Sequence, residues 1–219
     1  MRLTIKAKQV AGVASIVGLA AVGLSSLYLS SLVRVRLEES LARGDLLASA
    51  VYQRARTVVT HGDPDPYAAL RADEGLQSIL ESSVYSSNVT YAAIVDVNDV
   101  VVAHFDTKRV GETLPRRGEL AALLRLGLVG QLRTIYSAEG QTFEVGKPLL
   151  LDSSAFGSIR IGVSTLLIRS DINRVLGPAL IAVAVALVGS SIMAMLLAQL
   201  LLRPIHVLRR SLTRFGERD

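Results

Sequence analysis

Hydrophobic and polar positions along the chain change period three times. Gln9 to Val33 is an apolar run of 25 residues without a formal charge, and Val175 to Leu202 is a second of 28. A helix rises about 1.5 Å per residue and the hydrocarbon core of a bilayer is about 30 Å thick, so each run predicts a membrane-spanning helix. A cleaved signal peptide is the rival reading of the first run, because Arg2, Lys6 and Lys8 precede it. Its length exceeds the apolar core of a signal peptide, however, and Ser25 to Ser31 offers no clear small-x-small cleavage site. Ala14 and Gly18 form a small-xxx-small face suited to helix pairing, a weak signal in any span.

Between the runs, Leu37, Leu41, Gly44, Ala48, Val51, Ala55 and Val58 recur at spacings of four and three. That period predicts one long helix, whose stripe faces either a second copy in a heptad seam or the helix's own domain. The segment His61-Gly62-Asp63-Pro64-Asp65-Pro66 should end it, and Asp65-Pro66 should cap a new short helix. Leu76, Ile79, Leu80 and Val84 give a further helical face. From residue 90 the period shortens to two. Strands are expected at Thr90–Asp96, Val100–Phe105, Gln131–Tyr136, Thr142–Leu150 and Phe156–Ser164, with a Leu-rich helix from Glu119 to Leu128. Turns fall at Asn98-Asp99, Ala138-Glu139-Gly140 and Asp152-Ser153-Ser154. Two transmembrane helices thus flank an α+β domain built on a five-stranded antiparallel sheet with a long N-terminal helix. The divisions are 1–8 (N-terminus), 9–33 (first span), 34–174 (sensor-sized domain), 175–202 (second span) and 203–219 (exit segment).

Charge adds orientation. The net charge of +5 divides into +3 over residues 1–33, −1 over 34–174 and +3 over 175–219. A basic excess gathered beside the apolar runs reads as topology, and no nucleic-acid partner is expected. Arg203, Arg209, Arg210, Arg214 and Arg218 crowd the distal end of the second run, which puts both termini in the cytoplasm and residues 34–174 outside. The chain has no Cys, which removes disulfides, thiolate metal sites and Cys nucleophiles. His61, His104 and His206 are widely separated, and no metal-spaced cluster, nucleophile elbow or phosphate loop is present. No catalytic residue, metal or cofactor is therefore expected within these residues.

The segment Tyr91-Ala-Ala-Ile-Val-Asp96, then Val100-Val-Val-Ala-His104-Phe-Asp106 and Arg109-Val-Gly111-Glu112, resembles the hallmark stretch of Cache sensor domains, extracytoplasmic relatives of PAS domains. Lys147-Pro148 and Gly157-Ser-Ile-Arg-Ile-Gly162-Val-Ser164 are similar to the last two strands of that family. The resemblance implies a PAS-like fold and recognition of a small molecule in a pocket over the sheet. Tyr91, His104, Arg109, Arg133, Tyr136 and Lys147 are the candidate ligand residues, and the basic groups near the sheet, with Lys108 and Arg160 among them, would suit a carboxylate or other anion. For each basic residue the alternative is a solvated strand or loop position. The stretch Thr142-Phe-Glu-Val-Gly-Lys147 lacks the additional basic residues that citrate-type members carry there, and Glu144 has the opposite sign.

After the second run, Arg203-Pro204-Ile205-His206 leads into Ile205, Leu208, Leu212 and Phe215 at spacings of three, four and three. Pro204 should kink or restart the helix. The arrangement resembles the first helix of a HAMP linker, a dimeric four-helix bundle that relays signals. The alternative is a basic helix lying on anionic lipid. The resemblance assigns relay roles to Pro204, Ile205, Leu208, Leu212 and Phe215. A HAMP unit requires a second helix, which implies a fragment of a longer receptor, most simply a homodimeric two-component histidine kinase. A chemotaxis receptor or a membrane-bound cyclase fits the same front end, and a stand-alone two-span interaction subunit is the reading from another class.

Overall fold

The computed structural model describes residues 5–60, 64–86, 88–151 and 154–213, with side chains described at 12, 15–60, 64–86, 88–150, 155–193 and 195–196. Two compact units emerge, residues 30–173 forming one and residues 1–29 with 174–219 the other.

Helix α1 (Ile5–Thr60) contributes its second half to the 30–173 unit. There Val33, Leu37, Ala48, Val51 and Ala55 are fully buried, and Gly44 lies against Val145. A Cβ on Gly44 would come within 2.8 Å of a Val145 methyl carbon, so the helix approaches the sheet closely only because this position is glycine. Most of the predicted stripe is thus consumed by packing on the chain's own domain. Leu41 and Val58 are half-buried.

Helix α2 (Pro66–Ala72) begins as expected, with Asp65 Oδ1 accepting from the amides of Tyr67 and Ala68. Residues 61–63, the expected terminator of α1, lie outside the described residues. Helix α3 (Glu74–Val84) is capped by Asp73, which also takes two hydrogen bonds from Arg54 of α1 at 2.7 and 2.8 Å. Leu76 and Leu80 are its buried face.

Strands β1 (Val89–Asp96), β2 (Val101–His104), β3 (Thr142–Leu151) and β4 (Ser154–Ser164) make a four-stranded antiparallel sheet in the order β2-β1-β4-β3. The β1–β2 turn forms where Asn98-Asp99 predicts it. Asp96 Oδ1 accepts from the amides of Asn98 and Val100 at 2.8 Å, and Asp99 takes φ +63°. The β3–β4 hairpin is also as expected, although Asp152 and Ser153 lie outside the described residues.

The α+β class with its long N-terminal helix holds, but the sheet has four strands among the described residues. The predicted fifth strand, Gln131–Tyr136, is helical. The helix expected from Glu119 to Leu128 is shorter, α4 (Leu120–Leu124), and α5 (Leu128–Ile135) follows it across Gly127 in place of that strand. Gln131 fixes that corner, its Nε2 donating to the α4-end carbonyls of Leu124 and Leu126 at 3.2 and 3.0 Å. Those carbonyls would otherwise be orphaned at a helix C-terminus. The turn at Ala138–Gly140 therefore joins a helix to β3, with Gly140 at φ +65°.

Helix α6 (Thr165–Thr213) starts in the same unit, where Thr165, Ile168 and Ile172 are fully buried. It stays helical through Pro204, so the helix does not restart there. Ile205, Leu208 and Leu212 are described as helical backbone only, and Phe215 lies outside the described residues. Among the described residues two helices, α1 and α6, are long and apolar enough to cross a membrane. In the other unit Ile16, Leu19, Val22 and Leu27 stand about 70% exposed, as do Ile181 and Val185 at 67% and 66%. An apolar surface this open marks a contact with a membrane or a protein partner.

Candidate ligand site

Strand periodicity sorts the sheet into two faces. On the first, Val145 meets Gly44, and Lys147 Nζ donates to Ser49 Oγ at 2.9 Å, so this face belongs to α1. Ile94, Ile159 and Ile161 share it and are buried. The second face is polar and buried at once. One row across all four strands reads His104, Ala93, Arg160, Gly146, and the next reads Tyr91, Gly162, Glu144.

The large groups in these rows engage one another. Tyr91 lies over Gly162, where a Cβ would meet its ring at 2.2 Å, and its hydroxyl donates to Glu144 Oε1 at 2.6 Å. Burial, reinforced by the Glu144 bond, raises the Tyr91 pKa well above the ordinary tyrosine range and keeps it protonated. Arg160, 4% exposed, is anchored away from Glu144: Nη1 donates to the Leu114 carbonyl at 3.0 Å and Nη2 pairs with Asp99. Its Nε lies 4.0 Å from Glu144 Oε2. Asp99 also receives Arg116 at 3.1 Å. Its carboxyl sits below the usual range: burial opposes this, but the hydrogen bonds from Arg160 and Arg116 prevail.

His104 is fully buried beside Tyr91 and Phe105, with ring centroids 6.3 and 4.6 Å away. Nδ1 lies 3.0 Å from the Asp106 amide and 3.2 Å from the Asp106 carbonyl, so Asp106 holds the ring through this nitrogen in either tautomer. Nε2 is buried without a hydrogen-bond partner among the described residues. Burial, and then the charge of Arg109, lowers the His104 pKa and holds the ring neutral. Leu114 closes the apolar part of this face against Tyr91, Ala93, Val95 and Val101. The chain then runs to the free edge of β3, where the Glu144 amide donates to the Gly118 carbonyl at 2.8 Å.

A groove of about 500 Å³ opens at that edge. One wall is α1, through Glu38, Leu41, Ala42 and Asp45. The other is Glu119 and Ala121 with β3 from Glu144 to Gly146. A Cβ on Gly146 would find only the Ile159 carbonyl, 3.9 Å away, so the space above this strand position is open.

Of the six candidate ligand residues, the structure brings Tyr91 and His104 together on the second face. Lys147 is on the opposite face, held by Ser49 and lying 5.4 Å from the Tyr52 ring centroid. Arg109 pairs with Glu112 at 3.1 Å in the loop after β2. Arg133 is exposed on α5. Tyr136 donates to Asn173 at 2.6 Å and carries Arg169 over its ring. The cations that motivated an anionic ligand do not converge. Glu144 and Asp99 were not among the candidates, and Arg160 was named only as one of the basic residues near the sheet. A basic and an acidic residue on strands that alternate in step, each with small neighbours, was the available signal.

Residues 32–176 match the family described as single Cache domain 3. The chain belongs to that family. Its domain is a Cache sensor domain, and Cache domains bind small molecules, so the coarse role is that of a ligand-sensing input module flanked by two candidate membrane helices. Similar solved structures include an extracellular ligand-binding receptor from Desulfohalobium retbaense, 16% identical with a TM-score of 0.40, and the Escherichia coli DcuS sensor domain, 17% identical with a TM-score of 0.34. The alignments cover 65% and 60% of this chain, and 26% and 98% of those chains. The chain thus spans about a quarter of the length of the first. No curated protein matches the sequence.

Proposed function

We propose that this chain is the input half of a membrane receptor, in which residues 34–174 lie outside the cytoplasmic membrane and bind a small molecule on the polar face of the sheet. The observation that carries the reading is the buried Tyr91–Glu144–Arg160 group, with half-buried Asp99 as its counter-charge, beside an open groove in a Cache-family domain. A core that needed only stability would be better served by apolar residues, because buried ion pairs recover their desolvation cost poorly. His104 Nε2 adds a buried polar atom that a ligand or water would satisfy.

The two helices that leave the domain carry the signal. A ligand that favours one packing of the sheet shifts the population of that packing, and helices α1 and α6 pass the change towards the cytoplasm. The exit segment acts as the first helix of a HAMP linker, with Pro204, Ile205, Leu208, Leu212 and Phe215 in the relay. A histidine kinase of a two-component system is the output. The receptor works as a homodimer. Support comes from Val35 and Leu46, 53% and 70% exposed on the side of α1 that the sheet does not use.

The test is a melting-temperature screen of the full chain in lipid nanodiscs against small molecules of each charge class. A saturable stabilisation that disappears in Gly146→Leu supports the reading. Absence of stabilisation by any class overturns it.

A further inference from the structure

The second apolar run, Val175–Leu202, has 28 residues, about 42 Å of helix. That length matches a hydrocarbon core together with both headgroup layers, about 40–45 Å. Val175 then stands at the outer boundary of the headgroups. Asn173, two residues before it, lies at most about 7 Å further along the chain, and tilt of the span brings it closer. Tyr136, at the C-terminal end of α5, is bound to this point, its hydroxyl donating to Asn173 Oδ1 at 2.6 Å. Arg169, one turn earlier on α6, lies over the Tyr136 ring, 5.0 Å from its centroid. Arg133 and Val129 precede Tyr136 by three and seven residues, so the three share a face of α5. Arg133 is exposed there, and Val129 is 80% exposed. Neither Arg133 nor Arg169 has an ion pair or a hydrogen bond from its guanidinium among the described residues. The acids closest in sequence, Glu139 and Asp171, pair with neither.

We propose that this corner of α5 and α6 is a docking surface for the anionic headgroups of the membrane that α6 enters, with lipid phosphates accepting from Arg133 and Arg169 around the Tyr136 ring. The inference goes beyond the sensor reading and rests on one part of it, the span in α6. A guanidinium fits phosphate with two parallel hydrogen bonds, and its long stem lets it reach down from the domain. Tyrosine suits the same depth, since its ring is apolar and its hydroxyl stays wet. The short tether leaves a protein partner little room between this corner and the bilayer. The docked corner holds the first turns of α6, through which a signal must leave the domain, against the membrane surface.

The chain has no Trp, so one introduced Trp reports only its own surroundings. Three full-length variants in nanodiscs read depth: Y136W at the corner, I181W in the span, and V97W beyond the far end of β1. Val97 is 55% exposed and follows Asp96, about 23 Å of strand from Val89, which pairs with Val163 beside α6. Lipid with a nitroxide on its headgroup should quench Y136W and spare V97W, and lipid brominated in its acyl chains should quench I181W. In a second arm, the wild-type chain is melted in phosphatidylcholine nanodiscs with and without phosphatidylglycerol. The anionic lipid should raise the melting temperature by about 4 °C or more at low salt. High salt, or the double variant R133Q/R169Q, should abolish that rise. This arm keeps the test decisive if Y136W fails to fold. Quenching of I181W without Y136W, or an equal lipid response in the double variant, overturns the docking surface and leaves the sensor reading standing. Quenching of Y136W with no response to phosphatidylglycerol means passive proximity and overturns it as well. No quenching at any of the three positions means that α6 does not enter the bilayer, and the membrane-receptor reading falls with the proposal.

Discussion

At the scale of single residues, the second face of the sheet depends on who neutralises whom. Asp99, in a left-handed turn, stands between Arg160 and Arg116, so one carboxylate balances a buried cation and an exposed one. Asp99→Asn leaves Arg160 buried without its main counter-charge. That loss should cost on the order of 3 kcal/mol of stability, read as a lower melting temperature in nanodiscs. Acid should weaken the fold in two stages. His104 has its pKa lowered in the folded state, so below about 6.5 the unfolded chain takes a proton that the folded chain refuses, and stability falls until the folded value is passed. Asp99 and Asp73 are also lowered, so their contribution is complete above about 3.9 and is lost as pH falls through their folded values. Melting temperatures measured from pH 8 down to 3 should show both stages, and His104→Gln should remove the first alone. The sequence offered little warning of this network. Arg160 and Glu144 are sixteen residues apart, and only the β3–β4 register, through Gly162 opposite Glu144, sets them on the same face. The sign of Glu144 was legible from the start; its role was not.

At the scale of elements, the long helix and the hairpins were readable because their patterns are long or carry turn residues with special dihedrals. The α1 stripe was visible, but its partner was not, since a heptad seam and a sheet-facing stripe share one spacing. Gly44 decides the matter through contact with Val145. Gly44→Ala gains up to about 1 kcal/mol of helix propensity and meets an overpacking cost of about 1–3 kcal/mol. The net effect should be a loss of stability. In a double-mutant cycle with Val145→Ala, a coupling of about 1 kcal/mol would confirm the contact, and strict additivity would refute it. The segment Gln131–Tyr136 misled because Gln-Leu-Arg-Thr-Ile-Tyr alternates well enough for a strand. Helix wins there because Gln131 and Ile135, four apart, are both buried, and the Gln131 amide caps the preceding helix. Lys147 teaches a related lesson: a one-residue offset along β3 separates it from the face of Glu144 and hands it to α1. Lys147→Met should therefore cost about 1 kcal/mol of stability and leave small-molecule binding by the chain unchanged.

At the scale of the molecule, everything proposed for signalling turns on which side of the membrane the Cache domain faces. Charge is the available argument: five Arg follow the second apolar run, against the two, Arg169 and Arg174, that precede it. The domain between the runs is long enough for that rule to lose force within it, so the flank of α6 carries the inference almost alone. The absence of Cys makes a direct measurement straightforward, because any introduced thiol is the only one present. Tyr85, 92% exposed at the end of α3, is a suitable site within the domain. In intact cells a membrane-impermeant maleimide should label Tyr85→Cys, and should reach Lys8→Cys only after permeabilisation. The reverse pattern would place the polar sheet face in the cytoplasm. The ligand would then be an internal metabolite, and the basic exit segment would point away from any cytoplasmic output. Labelling of both positions from outside would mean that α1 does not span, leaving a single anchor. In that case only α6 could carry a signal across, and the two-helix mechanism would fail even if the groove binds its ligand.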